Sequence, residues 1–493
     1  MNQENSSTNL PETALLMNNA KLAFQKFQAV PDGIKADFLE RIAFEIEALG
    51  EELLHITMQE TNLPLARLTG ERGRTTMQLR MFAQMLRDGH WVEATIDHAI
   101  ADKTPPKPDI RKMLVGIGPV VVFGASNFPY AYSTAGGDTA SALAAGCPVV
   151  VKAHPAHLKT SQLVASAVLK AAAFCQMPEH VFQHTASDSF ETGKALVQDP
   201  NTAAVGFTGS YSGGRALVDY AAARKNPIPV FSEMGSTNPV LLLPDTLSKN
   251  AATIAKQYAG SINLGVGQFC TNPGILLGIA SDSLNEFINQ LGTEMNAIAP
   301  ASMLHKGILV AYENKAANAL SHQSVEQKTT NTSATINSQA IPILATVSGA
   351  SFLENPLLHE EVFGPYALMV QCKDLKELKT AWQAIAGQLT TTLMGTDQDF
   401  EQYSELIQLA PYLAGRVLFN GVPTGVEVCP SMVHGGPFPA STDGRFTAVG
   451  INAVKRWVRP VSFQNCPANL LPAALKEENP LGILRMVDGR YQL

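Results

Sequence analysis

The sequence predicts a doubly wound α/β fold, and three observations support this prediction. Between about residues 119 and 233, short valine-rich runs alternate with segments of helical character. The runs are apolar at consecutive positions, which is typical of parallel strands that are covered on both faces. Each run is followed by polar or glycine-rich residues, as expected where parallel strands end near a ligand. Together these features indicate βαβ units and a parallel sheet.

The elements can be assigned in order along the chain. Residues 34–86 interleave charged and apolar positions and are predicted to be helical. The proline-rich stretch TPPKPDI at 104–110 predicts an extended connection. The predicted strands and helices that follow are the strand PVVVFGAS from 119, the small-residue helix AYSTAGGDTASALAAG from 131, the strand PVVVKA from 148, a helix at 158–175, the strand AAVGFTG from 203, a helix in SGGRALVDYAAA and the strand PIPVFSEM from 227.

Composition narrows the class of protein. The chain has 493 residues, 45% of them hydrophobic and 16% charged, which is enough core material for two or three domains. The net charge of -7 is spread without a basic stripe, so we expect no nucleic acid partner and no membrane partner. The polar N-terminus MNQENSSTNL lacks the apolar core of a signal peptide, and no apolar run approaches the roughly 20 residues that span a bilayer. We expect a cytoplasmic protein that binds small molecules.

One cysteine lies in an unusual setting. The six cysteines are far apart, and no pair has the spacing of a metal or redox site, so we expect reduced thiols and no metal. Cys147, Cys175, Cys372 and Cys466 are interpreted as small core residues. Cys270 instead lies in GQFCTNPG, an uncharged, polar stretch with a glycine near each end. That setting favours a sulfur that meets a ligand.

Three polar side chains follow predicted strands and have two interpretations each. Asn127 is a candidate ligand-binding amide or a helix cap. Lys152 is a candidate contact for a cofactor ribose or phosphate, or a surface charge. Glu233 is a candidate general base, since partial burial would raise its pKa, or a solvated strand end.

The stretch GFTGSYSGG at 206–214 suggests a phosphate-binding turn. Gly209, Ser210 and Gly214 lie around a predicted strand-to-helix turn, where free backbone N–H groups and a helix N-terminus could face a phosphate. The stretch does not match GxGxxG, so the usual dinucleotide fingerprint is absent. A tight turn without a ligand remains the alternative.

Assembled in order, these segments resemble the aldehyde dehydrogenase superfamily over nearly the whole chain. The matching motifs are ASNFP from 125, VVKAHPAH from 150, GFTGS from 206, SEMG from 232, GQFCTNPG from 267 and EEVFGP from 360. The segments AGGDTASALAAGCPVVVKAHPAH and HGGPFPAST, the latter from residue 434, are most similar in sequence to the branch of 2,5-dioxovalerate (α-ketoglutarate semialdehyde) dehydrogenases. An NADP-linked bacterial long-chain aldehyde dehydrogenase also resembles these segments in sequence.

The resemblance implies a covalent mechanism. Cys270 would be the nucleophile that forms a thiohemiacetal and then a thioester. Asn127 and the backbone N–H of the cysteine would stabilise the oxyanion. Glu233 would activate the water that hydrolyses the thioester. Phe128 and Arg445 are the candidate substrate contacts, Arg445 because a guanidinium pairs well with a carboxylate.

The resemblance also implies NADP or NAD as the cofactor. Lys152 would bind the adenosine ribose region, Glu361 the nicotinamide ribose, and Phe363 would lie against the cofactor. The full set of candidate cofactor residues is Lys152, His154, Pro155, Gly209, Ser210, Gly214, Glu361 and Phe363. Many NAD-using relatives have a glutamate where this chain has Pro155, and its absence removes both an NAD contact and a repulsion of the 2′-phosphate. We therefore expect NADP to be accepted, with His154, His157 and Lys159 as nearby donors.

The predicted organisation has three parts. A cofactor domain covers residues 1–232 and is interrupted by a bridging segment at about 96–113; a catalytic domain covers 233–430; a C-terminal return and bridging segment covers 431–493. The resemblance implies a homodimer or homotetramer. The expected reaction is oxidation of a short aldehyde that carries a carboxylate, such as 2,5-dioxovalerate. The alternatives are longer aliphatic aldehydes with NADP, a plain thiol esterase, and a noncatalytic binding protein on the same fold.

Overall fold

The computed structural model describes residues 9–331 and 338–493 as an assembly of helices and three larger sheets. The α-helices are α1 (Asn9–Phe27), α2 (Asp32–Ala48), α3 (Gly50–Thr61), α4 (Leu65–Asp88), α5 (Gly137–Ala144), α6 (Leu158–Phe174), α7 (Phe190–Gln198), α8 (Tyr211–Ala222), α9 (Pro244–Asn263), α10 (Asp282–Asn296), α11 (Lys306–Leu320), α12 (Gly349–Glu354), α13 (Leu375–Ala384), α14 (Asp397–Gln402) and α15 (Ser404–Leu413). Within the described ranges, none of these helices combines the length and the hydropathy needed to cross a membrane.

The β-strands are shorter than most of the helices. They are β1 (Thr95–Asp97), β2 (Ile110–Gly116), β3 (Val120–Phe123), β4 (Val149–Lys152), β5 (Phe182–Thr185), β6 (Ala204–Thr208), β7 (Val230–Glu233), β8 (Val240–Leu242), β9 (Ile275–Ile279), β10 (Ala301–Ser302), β11 (Glu326–Gln327), β12 (Gln339–Ala340), β13 (Ile343–Ser348), β14 (Tyr366–Cys372), β15 (Gln388–Met394), β16 (Ala414–Phe419), β17 (Val458–Gln464), β18 (Arg485–Val487) and β19 (Arg490–Gln492).

The first sheet confirms the predicted doubly wound α/β class. Its order is β5-β4-β3-β6-β7, and all neighbouring strands are parallel. The chain begins at the central strand β3, moves outward to β5, and returns to continue on the other side with β6 and β7. The strand order therefore reverses between β3 and β6. At such a point the loops at the carboxyl ends of the strands diverge and leave a crevice for a ligand.

Alternate residues of the valine-rich strands enter two different cores. Val120 and Val122 of β3 pack into a core shared with α2, α4 and α6. Val121 faces the other way, into a core with Met17 of α1 and Leu217 of α8. All three valines are 2% exposed or less. Burial on both faces explains why these strands are apolar at consecutive positions.

The second sheet has the order β11-β13-β14-β9-β8-β15-β16 and is parallel except at its edge strand β11. Helices α9 and α10 cover one face. Helices α11, α12, α13 and α15 contribute to the core on the other face. The chain passes from the first sheet to the second between the end of β7 and the start of β8.

A third sheet brings together distant parts of the chain. Its order is β17-β2-β1-β18-β19, with β1 parallel to β18 and the other pairs antiparallel. The segment predicted to bridge, 96–113, overlaps β1 and β2. The boundary predicted at 232 falls within β7, and the boundary predicted at 430 falls in the long connection between β16 and β17.

The structure differs from the sequence prediction at one helix. The helix predicted from 131 is confined to α5, because the chain first makes a tight turn in which the Gly137 N–H donates to the Ala131 carbonyl at 3.0 Å. A Cβ atom at Gly136 would lie 2.3 Å from that carbonyl oxygen, so the turn requires glycine there.

Several elements were not predicted, among them helix α1 and strand β5. Helix α1 buries Met17 and Ala20, although its sequence begins in a polar stretch. Strand β5 is a sheet edge with the mixed sequence FQHT, which lacks the apolar continuity of its neighbours.

A buried ion pair joins the C-terminal part of the chain to the first sheet's helical layer. Nη1 of Arg456 lies 2.7 Å from Oδ1 of Asp138 at the start of α5, with side chains 4% and 11% exposed. We expect Arg456→Met to lower the free energy of unfolding by about 3–5 kcal/mol, because it leaves a buried carboxylate without its partner. Urea unfolding followed by tryptophan fluorescence measures this loss.

The double variant Arg456→Met/Asp138→Leu should regain a large part of that stability, since it removes both buried charges. Arg445→Met is the matched control, because the Arg445 side chain is 82% exposed. An Arg456→Met unfolding midpoint equal to that of the control would contradict a stabilising role for the pair.

Candidate active site

The candidate catalytic side chains lie where the chain passes from the first sheet to the second. Glu233 ends β7, Asn127 lies in the loop after β3, and Cys270 lies in the loop before β9. The return segment, defined here as residues 431–450, pairs with β7: the Met234 N–H donates to the Ala440 carbonyl at 2.8 Å. This pairing brings His434 to the same place.

The polar residues around Cys270 anchor its loop. Nδ2 of Asn238 donates to the Cys270 carbonyl at 2.8 Å. The Asn272 amide donates to the Gly364 carbonyl at 3.2 Å, and Oε1 of Gln268 accepts from the Leu304 N–H at 3.0 Å. The polar setting that marked this cysteine in the sequence therefore has a structural role as well.

Gly267 allows a second loop to approach the nucleophile loop. Its φ is +66°, and a Cβ atom there would lie 2.1 Å from the Gly364 carbonyl oxygen. Only glycine fits such a contact with this backbone conformation. The close approach brings the EEVFGP loop, residues 360–365, next to Cys270.

Glu233, His434 and Cys270 form a contiguous cluster. Nδ1 of His434 lies 3.0 Å from Oε2 of Glu233, and Nε2 lies 3.4 Å from the Cys270 sulfur. The Glu233 and His434 side chains are 1% and 2% exposed, so Glu233 is not the solvated strand end of the alternative interpretation. Within the described residues, neither Glu233 oxygen has a well-aligned hydrogen bond, which leaves the carboxylate able to bind another donor.

Burial and neighbouring charges together set the ionisation of this cluster. It raises the pKa of the Cys270 thiol well above its usual value, and the Glu233 carboxylate acts in the same direction. The guanidinium groups of Arg74 and Arg416 oppose that shift. Burial tends to raise the pKa of Glu233, as expected from the sequence, but His434 and Arg456 outweigh it. The net direction is therefore downward, opposite to the expected shift, and the carboxylate form is favoured.

Asn127 faces the nucleophile loop. Its Nδ2 donates to the Gln268 carbonyl at 3.2 Å, two residues before Cys270. It does not cap a helix, because α5 begins ten residues later and has Gly136 at its N-cap position. The structure therefore places this amide against the nucleophile loop, at a carbonyl two residues before Cys270.

An aromatic wall lies beside the cysteine. Phe128 makes edge-to-face contacts with Tyr132 and Phe269 at ring-centroid distances of 5.2 and 5.5 Å. Tyr132 makes a similar contact with the His434 ring at 5.9 Å. The predicted substrate residue Phe128 is thus part of a buried apolar surface next to the cluster.

Arg74 of α4 supplies a positive charge to this wall. Its Nη2 donates to the Tyr132 hydroxyl at 3.1 Å. Its Nε is buried and has no acceptor among the residues that the structure describes. Arg416, the other arginine that acts on the Cys270 thiol, donates to the carbonyls of Gly425 and Pro423. Of these two arginines, Arg74 is therefore the one with a buried N–H group, unpartnered among the described residues, that a ligand could accept.

Arg445 is not brought to this cluster. Its guanidinium donates to the Asp443 carboxylate through Nε at 2.8 Å and Nη2 at 2.6 Å, and its side chain is 82% exposed. The substrate contact expected for Arg445 is corrected accordingly. The pairing with a carboxylate two residues away explains the difference, since it satisfies the arginine at the surface.

The candidate cofactor residues lie along the carboxyl edge of the first sheet. Lys152 is 9% exposed, so it is not a surface charge, and burial lowers its pKa against an opposing effect of Asp188. No carboxylate lies within 4.0 Å of its ammonium in the described part of the chain.

Ser210 caps α8 by accepting from the Gly213 N–H at 3.2 Å, directly after Gly209. A Cβ atom at Gly214 would lie 2.8 Å from Met234, so this glycine seats α8 against the end of β7.

His154 and Pro155 follow Lys152 in a short 3-10 turn. Burial, with smaller effects of His157 and His305, lowers the pKa of His154 to about 3, so its imidazole is neutral near pH 7. Its Nδ1 accepts from the Ala156 N–H at 3.1 Å, which puts the ring proton on Nε2. Pro155 is exposed. His154 can therefore donate a hydrogen bond but adds no positive charge.

Glu361 lies against the segment that follows Glu233. A Cβ atom at Gly235 would be 2.5 Å from its Oε2. Burial raises the pKa of the Glu361 carboxyl to about 7, although the Lys315 ammonium opposes the shift. Phe363 is partly exposed in the same loop.

Sequence reasoning missed three residues of the site. His434 lies in a motif that was quoted only for its resemblance, and nothing local marks it as a neighbour of Cys270. Arg74 lies on an ordinary amphipathic helix. Asn238 has a weak signal: it precedes a proline at the end of a polar run after β7 and adopts a positive φ of 48°.

Comparisons with known proteins extend these observations. The model of the aldehyde dehydrogenase family matches residues 6–456. Alpha-ketoglutaric semialdehyde dehydrogenase 2 from Azospirillum brasilense is 49% identical over 475 residues, covering 96% of this chain and 90% of the relative. Alpha-ketoglutaric semialdehyde dehydrogenase from Acinetobacter baylyi is 44% identical over 486 residues, covering 98% and 92%.

Among solved structures, a glyceraldehyde-3-phosphate dehydrogenase from Methanocaldococcus jannaschii complexed with NADP superposes with a TM-score of 0.77, at 17% identity and with 92% and 94% of the two chains covered. This likeness shows the fold. The match to the family model and the two close relatives over nearly their full lengths show more: this chain belongs to the aldehyde dehydrogenase family, whose members are NAD(P)-dependent oxidoreductases that act on aldehydes.

Proposed function

We propose that this protein oxidises a short aldehyde carrying a carboxylate, with 2,5-dioxovalerate as the leading candidate, to the corresponding acid. Two relatives named for α-ketoglutaric semialdehyde, each more than 40% identical over more than 95% of this chain, support that substrate. The structural observation that supports this substrate most directly is the position of the Arg74 guanidinium, which is near enough to the Cys270 thiol to favour its ionisation. Its buried Nε–H has no acceptor among the described residues, and a guanidinium near the candidate nucleophile is suited to a substrate carboxylate.

The first chemical step falls to Cys270. Its sulfur attacks the aldehyde carbon, and the carbonyl oxygen becomes an oxyanion. The Asn127 amide, already directed at the nucleophile loop, and the Cys270 N–H are the donors proposed to stabilise that oxyanion. Phe128 and Tyr132 line the apolar side of the pocket and keep the reacting group away from water.

The second step falls to Glu233. Its carboxylate form is favoured, it is buried, and its oxygens lack well-aligned partners within the described residues. It is therefore suited to accept a proton from the water that attacks the thioester. The product leaves as a carboxylate, and the sulfur is released for another cycle.

The residues at the carboxyl edge of the first sheet fit a nicotinamide dinucleotide. Lys152 is a buried ammonium with no carboxylate within 4.0 Å among the described residues, and the N-terminus of α8 offers backbone donors next to Gly209 and Ser210. Glu361 would bind the nicotinamide ribose, with Phe363 against the ring. The cofactor, when bound, accepts a hydride from the substrate carbon.

The same edge supports acceptance of NADP. Pro155 places no carboxylate beside the proposed adenosine ribose site, while Lys152 and Lys159 supply positive charge there. His154 can donate through Nε2 but is neutral near pH 7. We infer that NADP and NAD are both used.

The proposed substrate can be tested through Arg74. We expect Arg74→Gln to lower kcat/KM for 2,5-dioxovalerate roughly 10- to 100-fold more than for an uncharged aldehyde of equal chain length, because a charge-assisted pair contributes about 1.5–3 kcal/mol. Any effect of Arg74 on the thiol would change both substrates alike, so the ratio isolates the carboxylate. Formation of the reduced cofactor at 340 nm measures both rates.

Arg445→Gln is the matched control, since this exposed arginine is already paired with Asp443. Equal losses for the two aldehydes in Arg74→Gln would remove the guanidinium from substrate binding. A wild-type preference for long alkyl aldehydes would contradict the proposed substrate itself.

Cofactor choice can be tested at Pro155. We expect Pro155→Glu to lower kcat/KM for NADP about tenfold more than for NAD, because the new carboxylate would repel the 2′-phosphate and could accept hydrogen bonds from the NAD ribose. Pro155→Gln has the same shape without the charge and should leave the ratio near that of the wild type. A ratio that is the same in both variants would mean that residue 155 does not face the adenosine ribose.

A second copy of this chain is the proposed partner, as a homodimer or homotetramer. Strands β17 and β19 are the two edges of the third sheet, and apolar side chains at both edges are exposed: Leu470, which follows β17, at 66% and Tyr491 of β19 at 71%. Edge strands and exposed apolar groups are commonly covered in assemblies. Light scattering coupled to size-exclusion chromatography should give two or four times the mass of one chain. The mass of a single chain at all concentrations would contradict this.

A further inference from the structure

His434 lies between the candidate nucleophile and the candidate base. The functional atoms of Glu233, Cys270 and His434 all lie within 4.8 Å of one another. The imidazole uses one ring nitrogen toward each neighbour, with Nδ1 at 3.0 Å from Glu233 and Nε2 at 3.4 Å from the Cys270 sulfur. This is the order of groups found wherever a base activates a thiol and is itself oriented by a third group.

The return segment holds the imidazole in this position. The His434 N–H donates to Oγ1 of Thr447 at 2.8 Å, and the His434 carbonyl accepts from the Ala448 N–H at 2.7 Å. The edge contact with the Tyr132 ring fixes the side chain from another direction. A ring fixed on both sides cannot easily turn away from the sulfur.

We propose that His434 is a catalytic residue that takes the proton of the Cys270 thiol when the sulfur attacks the aldehyde and returns it when the thioester is cleaved. This inference rests on the proposed role of Cys270 as the nucleophile. In the first step the S–H bond breaks, its proton moves to Nε2, and the sulfur electron pair forms the C–S bond. In the last step water adds to the thioester carbon, the C–S bond breaks, and the leaving sulfur takes the proton from Nε2.

Charge explains why the histidine suits this task better than Glu233 alone. The pKa of the Cys270 thiol is raised well above its usual value by desolvation and by Glu233, so its proton needs an acceptor in contact with it. Once protonated, the imidazole carries a positive charge next to the Glu233 carboxylate at 3.0 Å, which stabilises it. Glu233 then remains ionised and free to accept a proton from water in the later step.

Other ionisable groups face the cluster and set its pH response. Glu361 disfavours the thiolate, whereas Arg74 and Arg416 favour it. Arg456 acts on Glu233, and the Tyr132 hydroxyl, whose pKa is raised by burial, stays neutral. Two bases therefore lie beside the sulfur: Glu233, which also interacts with the thiol, and His434, whose Nε2 is 3.4 Å from it. If His434 is the one that takes the proton, its removal should change the pH profile of the sulfur.

The test is the rate of alkylation of Cys270 by iodoacetamide as a function of pH, with the modified residue identified by mass spectrometry. In the wild type, alkylation should already be substantial near pH 7, because the proton can move to the imidazole. In His434→Gln the rate at pH 7 should fall about tenfold or more and rise steadily toward high pH. Cys429, partly exposed on a neighbouring loop, is the internal control and should react alike in both proteins.

Chemical rescue separates catalysis from structure. In His434→Ala, added imidazole should restore part of the alkylation rate at pH 7 and part of the turnover, while cofactor affinity measured by fluorescence titration stays unchanged. An unaltered pH profile in His434→Gln, or no rescue in His434→Ala, would overturn the role of His434 even if the enzyme still depends on Cys270. Full turnover by Cys270→Ser would instead refute the proposed nucleophile, so the two failures are distinguishable.

Discussion

The carboxamide of Asn238 fixes the nucleophile loop to the segment that joins the two sheets. Its Nδ2 donates to the carbonyls of Cys270 and Asn272 at 2.8 and 2.9 Å, and its Oδ1 accepts from Thr390 at 3.0 Å. Oε1 of Gln388 accepts from the Asn238 N–H at 2.9 Å. Because these buried groups satisfy one another, the position of the sulfur follows from the path of the chain after Glu233.

This constraint lets an unfavourable collection of charges stay in place. Two carboxyl groups, a thiol and an imidazole lie close together in a largely buried part of the protein, where each unpaired charge is costly. The arginines at the margins compensate: Arg74 and Arg416 act on the thiol, and Arg456 acts on Glu233. A fixed backbone keeps these groups near one another, although their mutual repulsions and desolvation would otherwise separate them.

Local patterns in the sequence were sufficient for much of the fold. The valine runs of β3 and β4 predicted a sheet buried on both faces, and the junctions after the strands identified Asn127, Lys152 and Glu233. The strand β5 was not predicted because its sequence FQHT is not continuously apolar. Its polar side chains have partners in the folded protein: Gln183 donates to the Leu16 carbonyl, and His184 contacts the Ser161 hydroxyl. Helix α1 was not predicted because its apolar residues, Met17 and Ala20, are buried only when they pack against the first sheet.

The sequence predicted only those site residues whose immediate neighbours have an unusual composition. Cys270 is one of them, because it lies in the uncharged, glycine-containing stretch GQFCTNPG. His434 is not: it reaches the cluster because the return segment pairs with β7, a contact between positions some two hundred residues apart in the chain. Arg445 was expected to contact the substrate because the sequence shows an arginine there. The sequence does not show that its guanidinium pairs with Asp443 in the folded protein.

The return segment also sets the order in which the site is completed as the protein is made. Synthesis begins at the N-terminus, and domains fold as they emerge. Every strand of the first two sheets precedes His434 in the chain, so the nucleophile loop can form on the ribosome while the imidazole has not yet been synthesised. A nascent chain that has not reached His434 therefore holds the Cys270 thiol without its neighbouring imidazole.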